Sequence, residues 1–392
     1  MPASCSAGMN RFDVIVVGGG PAGTTAATVC AQHGLRVALF EHARFPHHKV
    51  CGDVINPNCW PVLERIGAEE KVRALPHHTI DGALFTALGN NTLPIPAPQP
   101  LVAIRRSLFD SCLLEHARSC GVTVFEAETV HEITGGNEVV TGAGRYVARR
   151  SIIGADGRHS GVARMSGLAS MRNQTTGPVA FQSHFRAPTT LDSRIQLHLF
   201  PGGYCGLVRV DDDRANLCLV TERRNDRSHK DCDALFSCTV QNNPHFRALN
   251  IAPTPLEPLR SAFPLCTPMN VPAKNATFLV GDALRVVEPF TGQGIFFALR
   301  TAELAAHAIL EFQCPEAAYT AAVRRLYHAR TRTNEWLRRL MYHEEVAGWL
   351  MAALKYGPAL RRWLADNVLS AGRQSRADYP TPRAPWQPEP TR

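Results

Sequence analysis

The chain has DVIVVGGGPAG at residues 13–23 and continues to residue 41 as TTAATVCAQHGLRVALFE. Residues 13–18 form an almost wholly apolar run that ends in glycine, which is typical of a strand buried on both faces of a parallel sheet. The residues after the turn predict a helix that ends at Gly34 and a second strand that closes on Glu41. This stretch therefore predicts a βαβ unit in an α/β fold.

The glycines of this turn have the spacing GxGxxG, directly after the predicted strand and at the start of the predicted helix. Gly18 permits a tight turn, Gly20 lets the backbone approach a pyrophosphate, and Gly23 lets helix and strand pack closely. Ala22 lies in the same turn, the helix N terminus stabilises negative charge, and Glu41 would accept hydrogen bonds from an adenosine ribose. The turn predicts a dinucleotide site, but it does not separate FAD from NAD.

The length, composition and net charge of the chain limit the possible classes of protein. The 392 residues allow two or three lobes, and 45% hydrophobic with 19% charged residues is typical of a folded globular chain. The net charge of +8 lies largely in the C-terminal stretch, which favours an anionic cofactor or a membrane surface over nucleic acid. No nucleic-acid-binding motif is present.

Cysteine usage and apolar runs indicate a compartment. The twelve cysteines are scattered from Cys5 to Cys314 without a CxxC pair, which favours reduced thiols. Residues 1–12 hold no long apolar core of a signal peptide, and no run approaches the roughly 18 apolar residues of a membrane span. We therefore expect a soluble, cytoplasmic protein.

Further elements follow along the chain. Residues 107–120 predict a helix, and residues 122–125 and 130–153 predict strands that lead into GADG at 154–157. Residues 178–222 alternate apolar and polar side chains, which predicts a second sheet with one covered face.

Two later motifs carry a family resemblance. GADGRHS at residues 154–160, and GDA at 281–283 followed by PFTGQG at 289–294, stand in the same order as in one flavoprotein superfamily. Over residues 12–310 the chain resembles the FAD-dependent family that includes para-hydroxybenzoate hydroxylase, the group A flavin monooxygenases, and within it the geranylgeranyl reductase-like branch. The resemblance implies FAD as the cofactor.

The resemblance also implies a domain organisation. We expect a Rossmann-type FAD-binding domain, interleaved with an antiparallel-sheet substrate domain and followed by a helical C-terminal region. The predicted bounds are 12–175 and 271–310 for the FAD-binding domain, 176–270 for the substrate domain, 311–371 for the helical region and 372–392 for a disordered tail.

The resemblance assigns cofactor contacts to several residues. Arg106 matches the arginine over the FAD ribose or pyrophosphate, and Asp156 matches an acid that supports both FAD and the visiting nicotinamide nucleotide. Asp282, after Gly281, matches the acid that binds the ribityl chain. The last turn leads into a helix whose N terminus faces the flavin pyrimidine and stabilises the reduced ring, and its predicted contacts are Gly292, Gly294 and Ile295.

The loop at residues 43–59 is unusually long, which predicts a functional role. Its Lys49-Val-Cys51-Gly52 segment resembles the K-x-C-G loop of the reductase-like branch, where the cysteine and its glycine lie near the isoalloxazine ring. Cys51 is a candidate catalytic residue that tunes the flavin or a proton transfer, although a free cysteine is also commonly a small buried hydrophobe.

A zinc site is a competing interpretation of the same loop. Its candidate ligands are His47, His48, Cys51 and Cys59. These residues lack a recognised ligand spacing, and FAD already explains the motifs, so we predict no metal.

The chain also departs from the family patterns. Tyr204, the second candidate catalytic residue, matches the Y-x-W-x-F-P motif of the reductase-like branch, but Gly206 replaces its tryptophan and Arg209 its proline. The hydroxylases have G-D-A-A-H where this chain has GDALR at 281–285. The W-x-W-x-I-P motif of flavin halogenases is absent from the sequence. The identity of the substrate therefore stays open.

Three functions remain compatible with the motifs. No second GxGxxG opens a helix, so electrons would come from NAD(P)H that docks transiently or from a protein donor. Reduced FAD would then reduce a carbon–carbon double bond of a lipophilic substrate or, with oxygen, hydroxylate an aromatic one. The third alternative is a flavin-binding protein without catalysis.

The remaining candidates carry weaker signals. His184 and His198 are polar positions on the predicted substrate sheet, but a histidine on an alternating strand is commonly solvated or satisfied. The basic, apolar C-terminal region, with Trp336 and Trp349, either caps the core or makes peripheral contact with a membrane. The oligomeric state is not specified by the sequence.

Overall fold

The structure is a computed structural model. It describes residues 10–87, 91–170, 177–200, 202–222, 244–249 and 254–342, together with residues 357, 362 and 365. Two eight-stranded sheets organise these residues.

The first sheet is the predicted Rossmann-type sheet. Its parallel core has the order β16-β9-β1-β2-β6, and β7, β8 and β15 add antiparallel strands. Val14, Ile15 and Val16 on the central strand are fully buried, as expected for a strand covered on both faces. The strands are β1 (Asn10–Val17), β2 (Val37–Glu41), β6 (Thr123–Glu126), β7 (Val130–Thr134), β8 (Glu138–Thr141), β9 (Gly144–Gly154), β15 (Ala273–Lys274) and β16 (Thr277–Leu279).

Helices flank this sheet. The predicted helix after the glycine turn packs on the helix that begins at Gly294. Across the described residues of both sheets, the helices are α1 (Pro21–Gln32), α2 (Trp60–Arg65), α3 (Glu69–Arg73), α4 (Arg106–Ser119), α5 (Gly161–Met165), α6 (Pro244–Leu249), α7 (Gly294–Glu311) and α8 (Pro315–Tyr342). The predicted helical C-terminal region is described through α8 and at residues 357, 362 and 365, and Trp349 and the predicted tail at 372–392 lie outside the described residues.

The second sheet has the order β14-β10-β13-β12-β11-β4-β5-β3, and all neighbouring strands are antiparallel except β4 and β11. Its strands are β3 (Val54–Ile55), β4 (His78–Ala87), β5 (Asn91–Ala103), β10 (Pro178–Arg186), β11 (Arg194–Phe200), β12 (Gly203–Arg209), β13 (Arg214–Glu222) and β14 (Arg260–Ala262). The prediction of strands within residues 178–222 is confirmed.

Two expectations for this sheet were wrong. Strands β3, β4 and β5 belong to the second sheet, although they lie inside the segment 12–175 that we assigned to the first domain. The sheet is also covered on both faces, because Leu249 and Leu259 pack with Phe181 and Leu217 on the face away from Tyr204. Several of its polar side chains, such as Gln182, His184 and Asn216, are buried inside the protein instead of facing water.

Among the described residues, no helix is both long enough and apolar enough to cross a bilayer.

Candidate active site

The first glycine turn has the shape that a phosphate group needs. Gly18 has φ +109°, and a Cβ there would lie 2.4 Å from the carbonyl oxygen of Ala155. A Cβ on Gly23 would lie 1.8 Å from the carbonyl oxygen of Gly18, so only glycine allows this approach of helix to strand. Gly20 has open space where its Cβ would be, so its backbone is accessible at the start of α1.

Glu41 fixes this turn to β2. Its Oε2 accepts a hydrogen bond from the backbone N–H of Gly19 at 2.6 Å, and its Oε1 accepts one from Ala43 at 2.9 Å. The side chain is buried at the carboxyl end of the strand. The predicted contact of Glu41 with a ribose stays a prediction, and the structure adds this turn-bracing role.

One cavity lies between the two sheets and gathers most of the predicted site residues. The predicted residues that line it are Gly20, Ala22, Cys51, Gly52, Arg106, Tyr204, Asp282, Gly292, Gly294 and Ile295. The two glycine turns therefore meet at one cavity, although more than 250 residues separate them in sequence.

Asp156 and Gly281 do not line the cavity but fix the backbone next to it. The Asp156 carboxylate accepts hydrogen bonds from Ser160 Oγ at 2.6 Å and from the backbone N–H of Val162 at 3.0 Å. Asp156 thus orders the turn before α5, while Gly157 and Arg158 line the cavity. Gly281, like Gly18 and Gly23, is a point of close approach, since its Cβ would lie 2.9 Å from the Cβ of Ala22.

Arg106 and Cys51 form a pair at the cavity wall. The Arg106 guanidinium holds both oxygens of Asp110, with Nε at 2.8 Å and Nη2 at 2.7 Å. Burial raises the pKa of the Cys51 thiol, and the positive charge of Arg106 only partly offsets this effect. Cys51 is therefore a neutral S–H group at neutral pH, not a thiolate.

Asp282 lies among cations, of which the sequence analysis assigned a cofactor contact only to Arg106. Its Oδ2 is 3.4 Å from Nζ of Lys49. Burial acts to raise the pKa of Asp282, but the charges of Lys49, Arg158 and Arg106 lower it below the ordinary value. Lys49 begins the Lys49-Val-Cys51-Gly52 segment and Arg158 lies within the GADGRHS motif, so their places in these motifs were the available signal.

The second glycine turn closes the cavity. Gly292 has φ +61°, and neither Gly292 nor Gly294 has an atom within 4 Å of its ideal Cβ. Gly294 begins the 18-residue helix α7, whose N terminus favours negative charge. Two open glycine turns at helix N termini, with Lys49 and Arg158 between them, fit a dinucleotide cofactor such as FAD.

The opposite half of the cavity is apolar. The Tyr204 ring meets the Phe290 ring edge to face, with centroids 5.5 Å apart. The apolar lining from the second sheet and its neighbours is Leu101, Ile195, Leu197, Val208, Leu265 and Phe290. The cavity therefore joins a charged half to an apolar half, and Cys51 lies on its lining with Gly52 and Val54.

His198 and His184, both on the second sheet, have different surroundings. His198 is buried, its Nδ1 is 2.8 Å from Thr86 Oγ1, and it does not line the cavity. His184 lies behind the Cys51 segment, with Nε2 2.7 Å from Asp53 and Nδ1 3.2 Å from Glu257. Neither carboxylate was a sequence candidate, because nothing in their spacing links them to His184.

The residues of the zinc interpretation are dispersed. Cys59 is buried in the core of the first domain, and Cys51 faces the cavity. His48 instead lies 3.0 Å from Glu257, so that His48, His184 and Glu257 place one potential ligand atom each within 4.8 Å of one another. This group differs from the one considered from sequence.

Comparisons with known proteins agree with this geometry. A family model described as FAD binding domain matches residues 11–319. The menaquinone reductase of Mycolicibacterium smegmatis is 27% identical over 317 residues, covering 76% of each chain. The tryptophan 2-halogenase of Chondromyces crocatus is 25% identical over 379 residues, covering 86% of this chain and 72% of the relative.

A solved structure extends the comparison to the fold. A flavoprotein/dehydrogenase from Cytophaga hutchinsonii superimposes with a TM-score of 0.78 at 19% identity, covering 92% of this chain and 93% of that one. At this identity the likeness concerns the fold alone.

Proposed function

This chain belongs to the FAD-binding domain family, and we propose that within it the protein is a reductase that saturates a carbon–carbon double bond of a lipophilic substrate. The observation that carries the proposal is the position of Cys51, a neutral thiol on the lining of a cavity with one charged and one apolar half. The charged half suits the cofactor, and the apolar half suits a lipophilic substrate.

The charged half has the groups that FAD requires. Lys49 and Arg158 would neutralise phosphate charge, and the Asp282 carboxylate would accept hydrogen bonds from ribityl hydroxyls. The open backbone between Gly292 and Gly294 would face the pyrimidine ring, where the positive end of α7 favours a reduced, anionic flavin. The chemistry that bound FAD would supply here is hydride donation, after reduction by NAD(P)H that would dock transiently.

The chain supplies the proton and excludes water. Saturation of a double bond takes one hydride and one proton, and the Cys51 Sγ–H is a proton donor on the lining shared with the apolar wall. Leu197, Val208 and Phe290 keep that wall dry. The similarity to a menaquinone reductase supports a lipophilic substrate for this chain as well.

A second candidate function has one specific observation in its favour. The edge-to-face pair of Tyr204 and Phe290 gives the cavity an aromatic wall, which suits an aromatic ring. We therefore keep oxygen-dependent hydroxylation of an aromatic substrate as the alternative. The tryptophan 2-halogenase relative also has an aromatic substrate in its name, but this chain lacks the tryptophan motif of halogenases.

The experiment compares Cys51→Ala with Cys112→Ala, a half-buried cysteine on α4 that does not line the cavity. Each FAD-loaded protein is reduced and mixed without oxygen with a polyprenyl acceptor, and product and flavin absorbance are followed. We expect Cys51→Ala to retain FAD and to slow substrate reduction by about 100-fold, the lower range for loss of a proton-transfer group. Equal rates of substrate reduction in the two variants would show that Cys51 takes no part in the reaction.

A further inference from the structure

A buried chain of polar groups that do not line the cavity supports the Cys51 segment. His184 is the centre of this chain, with Nε2 2.7 Å from Asp53 Oδ2 and Nδ1 3.2 Å from Glu257 Oε2. His184 is 4% exposed and Asp53 is 2% exposed. A neutral imidazole has one N–H, so an imidazole that hydrogen-bonds to two carboxylates requires both nitrogens to carry protons.

Asp53 connects this histidine to Cys51. Its backbone has φ +59°, a conformation that is rare for a residue with a side chain and costs about 1 kcal/mol or more. Its Oδ1 accepts from the backbone N–H of Arg106 at 3.1 Å, and its own N–H donates to Cys51 Sγ at 3.3 Å. The side-chain contacts of Asp53 therefore hold the turn that places the thiol.

Asn216 completes the support. It lies directly opposite His184 on the neighbouring strand β13. Its Nδ2 donates to Asp53 Oδ2 at 2.5 Å and to the carbonyl oxygen of Cys51 at 2.8 Å. Cys51 is thus held at its thiol through Asp53 and at its backbone through Asn216.

We propose that His184 is a positioning residue: a buried imidazolium between Asp53 and Glu257 that holds residues 51–53 against the cavity and releases them when it loses its proton. The functional consequence rests on the proposed role of Cys51, while the coupling of His184 to the segment does not. After deprotonation, His184 can donate to only one carboxylate, so either Asp53 or Glu257 loses this charge-assisted hydrogen bond.

The charges around His184 agree with this assignment. Burial disfavours the charged form of His184, but its hydrogen bonds to Asp53 and Glu257 outweigh that effect and raise its pKa above the ordinary value. Glu257 is also contacted by Arg214 at 3.3 Å and by His48 at 3.0 Å.

The other titratable groups lie around Asp53. Arg106 and Cys51 flank it on the loop and α4 side, and Cys218 contributes a thiol from β13. Burial raises the pKa of Cys218 to about 12, so it stays neutral at the pH where His184 titrates. A metal ion in the His48, His184 and Glu257 group would require the lone pair of His184 Nδ1, which the imidazolium does not have.

The test is hydrogen exchange of the peptide that covers residues 49–56, measured on the FAD-loaded protein over a pH series and corrected for the intrinsic rate at each pH. We expect protection to fall by about tenfold or more as pH rises through the pKa of His184. In His184→Gln the protection should be low and independent of pH. In Glu257→Gln, which removes only one of the two carboxylates, the transition should move to lower pH.

Two histidine variants serve as controls. His198→Gln removes a buried histidine of the same sheet, and His48→Gln removes the other histidine on Glu257, so both should retain the wild-type transition. If His184→Gln does not fold, the shift in Glu257→Gln still decides the question. A wild-type transition in His184→Gln or in Glu257→Gln would overturn the proposal. One equivalent of zinc in the purified protein that is lost in His48→Gln would also overturn it. Activity is not used, so failure of the reductase assay leaves this result intact.

Discussion

The imidazole of His184 lies 2.7 Å from the carboxylate of Asp53, although the two residues are 131 positions apart in the sequence. The pair joins the second sheet to the loop that carries Cys51, so the sheet that lines the substrate half of the cavity also supports the proposed proton donor. The stability of the protein and the position of Cys51 are therefore expected to depend on the same proton.

The first prediction concerns stability and pH. Because the folded protein raises the pKa of His184 above its ordinary value of 6.5, protonation of His184 favours the folded state. This contribution is complete below about pH 6.5 and is lost as pH rises through the folded pKa. Urea unfolding at a series of pH values should show a smaller loss of unfolding free energy with rising pH in His184→Gln than in the wild type. Identical slopes would argue against a charged His184.

The second prediction concerns the glycine turn. Gly20→Val should fold normally, since nothing lies within 4 Å of its Cβ, but the added side chain would project into the cavity and displace FAD. Gly142→Val is the matched control, on a hairpin turn with ordinary contact distances. Flavin absorbance per protein, together with thermal unfolding, should show loss of FAD only in the first variant. Full FAD content in Gly20→Val would place the cofactor elsewhere.

The third prediction concerns Lys49. Replacing Lys49 by Met removes the ammonium group 3.4 Å from Asp282, and we expect the Kd for FAD to rise about tenfold. Lys274→Met, on the edge strand β15, should leave the Kd unchanged. Fluorescence titration of the apoprotein with FAD measures both values. Equal affinities would mean that Lys49 does not serve the cofactor.

The fourth prediction concerns a buried ion cluster. Glu303 is 2% exposed and contacts both Arg65 and Arg300, and these charges lower its pKa against the effect of burial. Glu303→Ala removes the carboxylate that both arginines share and should cost about 3 kcal/mol of unfolding free energy. Glu69→Ala breaks only the surface pair with Arg73 and should cost less than about 0.5 kcal/mol. Chemical unfolding of both variants checks the contrast.

Local sequence signals predicted the first sheet and the glycine turns well, because they depend on contiguous residues. Strand β5 shows why other parts escaped prediction. Its sequence NTLPIPAPQPLVA places proline at every second position, which argues against a central strand. Pro94 and Pro96 are two residues apart, so their missing N–H groups fall on the same edge of β5, whereas Pro98 and Pro100 lie in a register shift where β5 has no paired residue in β4. The next strand, β3, pairs with Val102 and Ala103, beyond the prolines. This arrangement tolerates prolines that would disfavour a central strand.

The candidate site likewise contains residues that the sequence predicts and residues that it does not. Gly20, Cys51, Arg106 and Asp282 stand in motifs with a family pattern, and the structure places all four at one cavity. The chain of Glu257, His184 and Asp53 has no such pattern, because its members come from three distant segments and meet only after the second sheet forms. Prediction of such a chain requires the fold.

The measurement that tests the central claim most directly is anaerobic mixing of the reduced, FAD-loaded protein with a polyprenyl substrate. We predict that flavin absorbance returns to the oxidised spectrum without oxygen and that the product carries one fewer carbon–carbon double bond. A flavin that stays reduced until oxygen is admitted, with an oxygen atom then incorporated into an aromatic substrate, would contradict the reductase assignment.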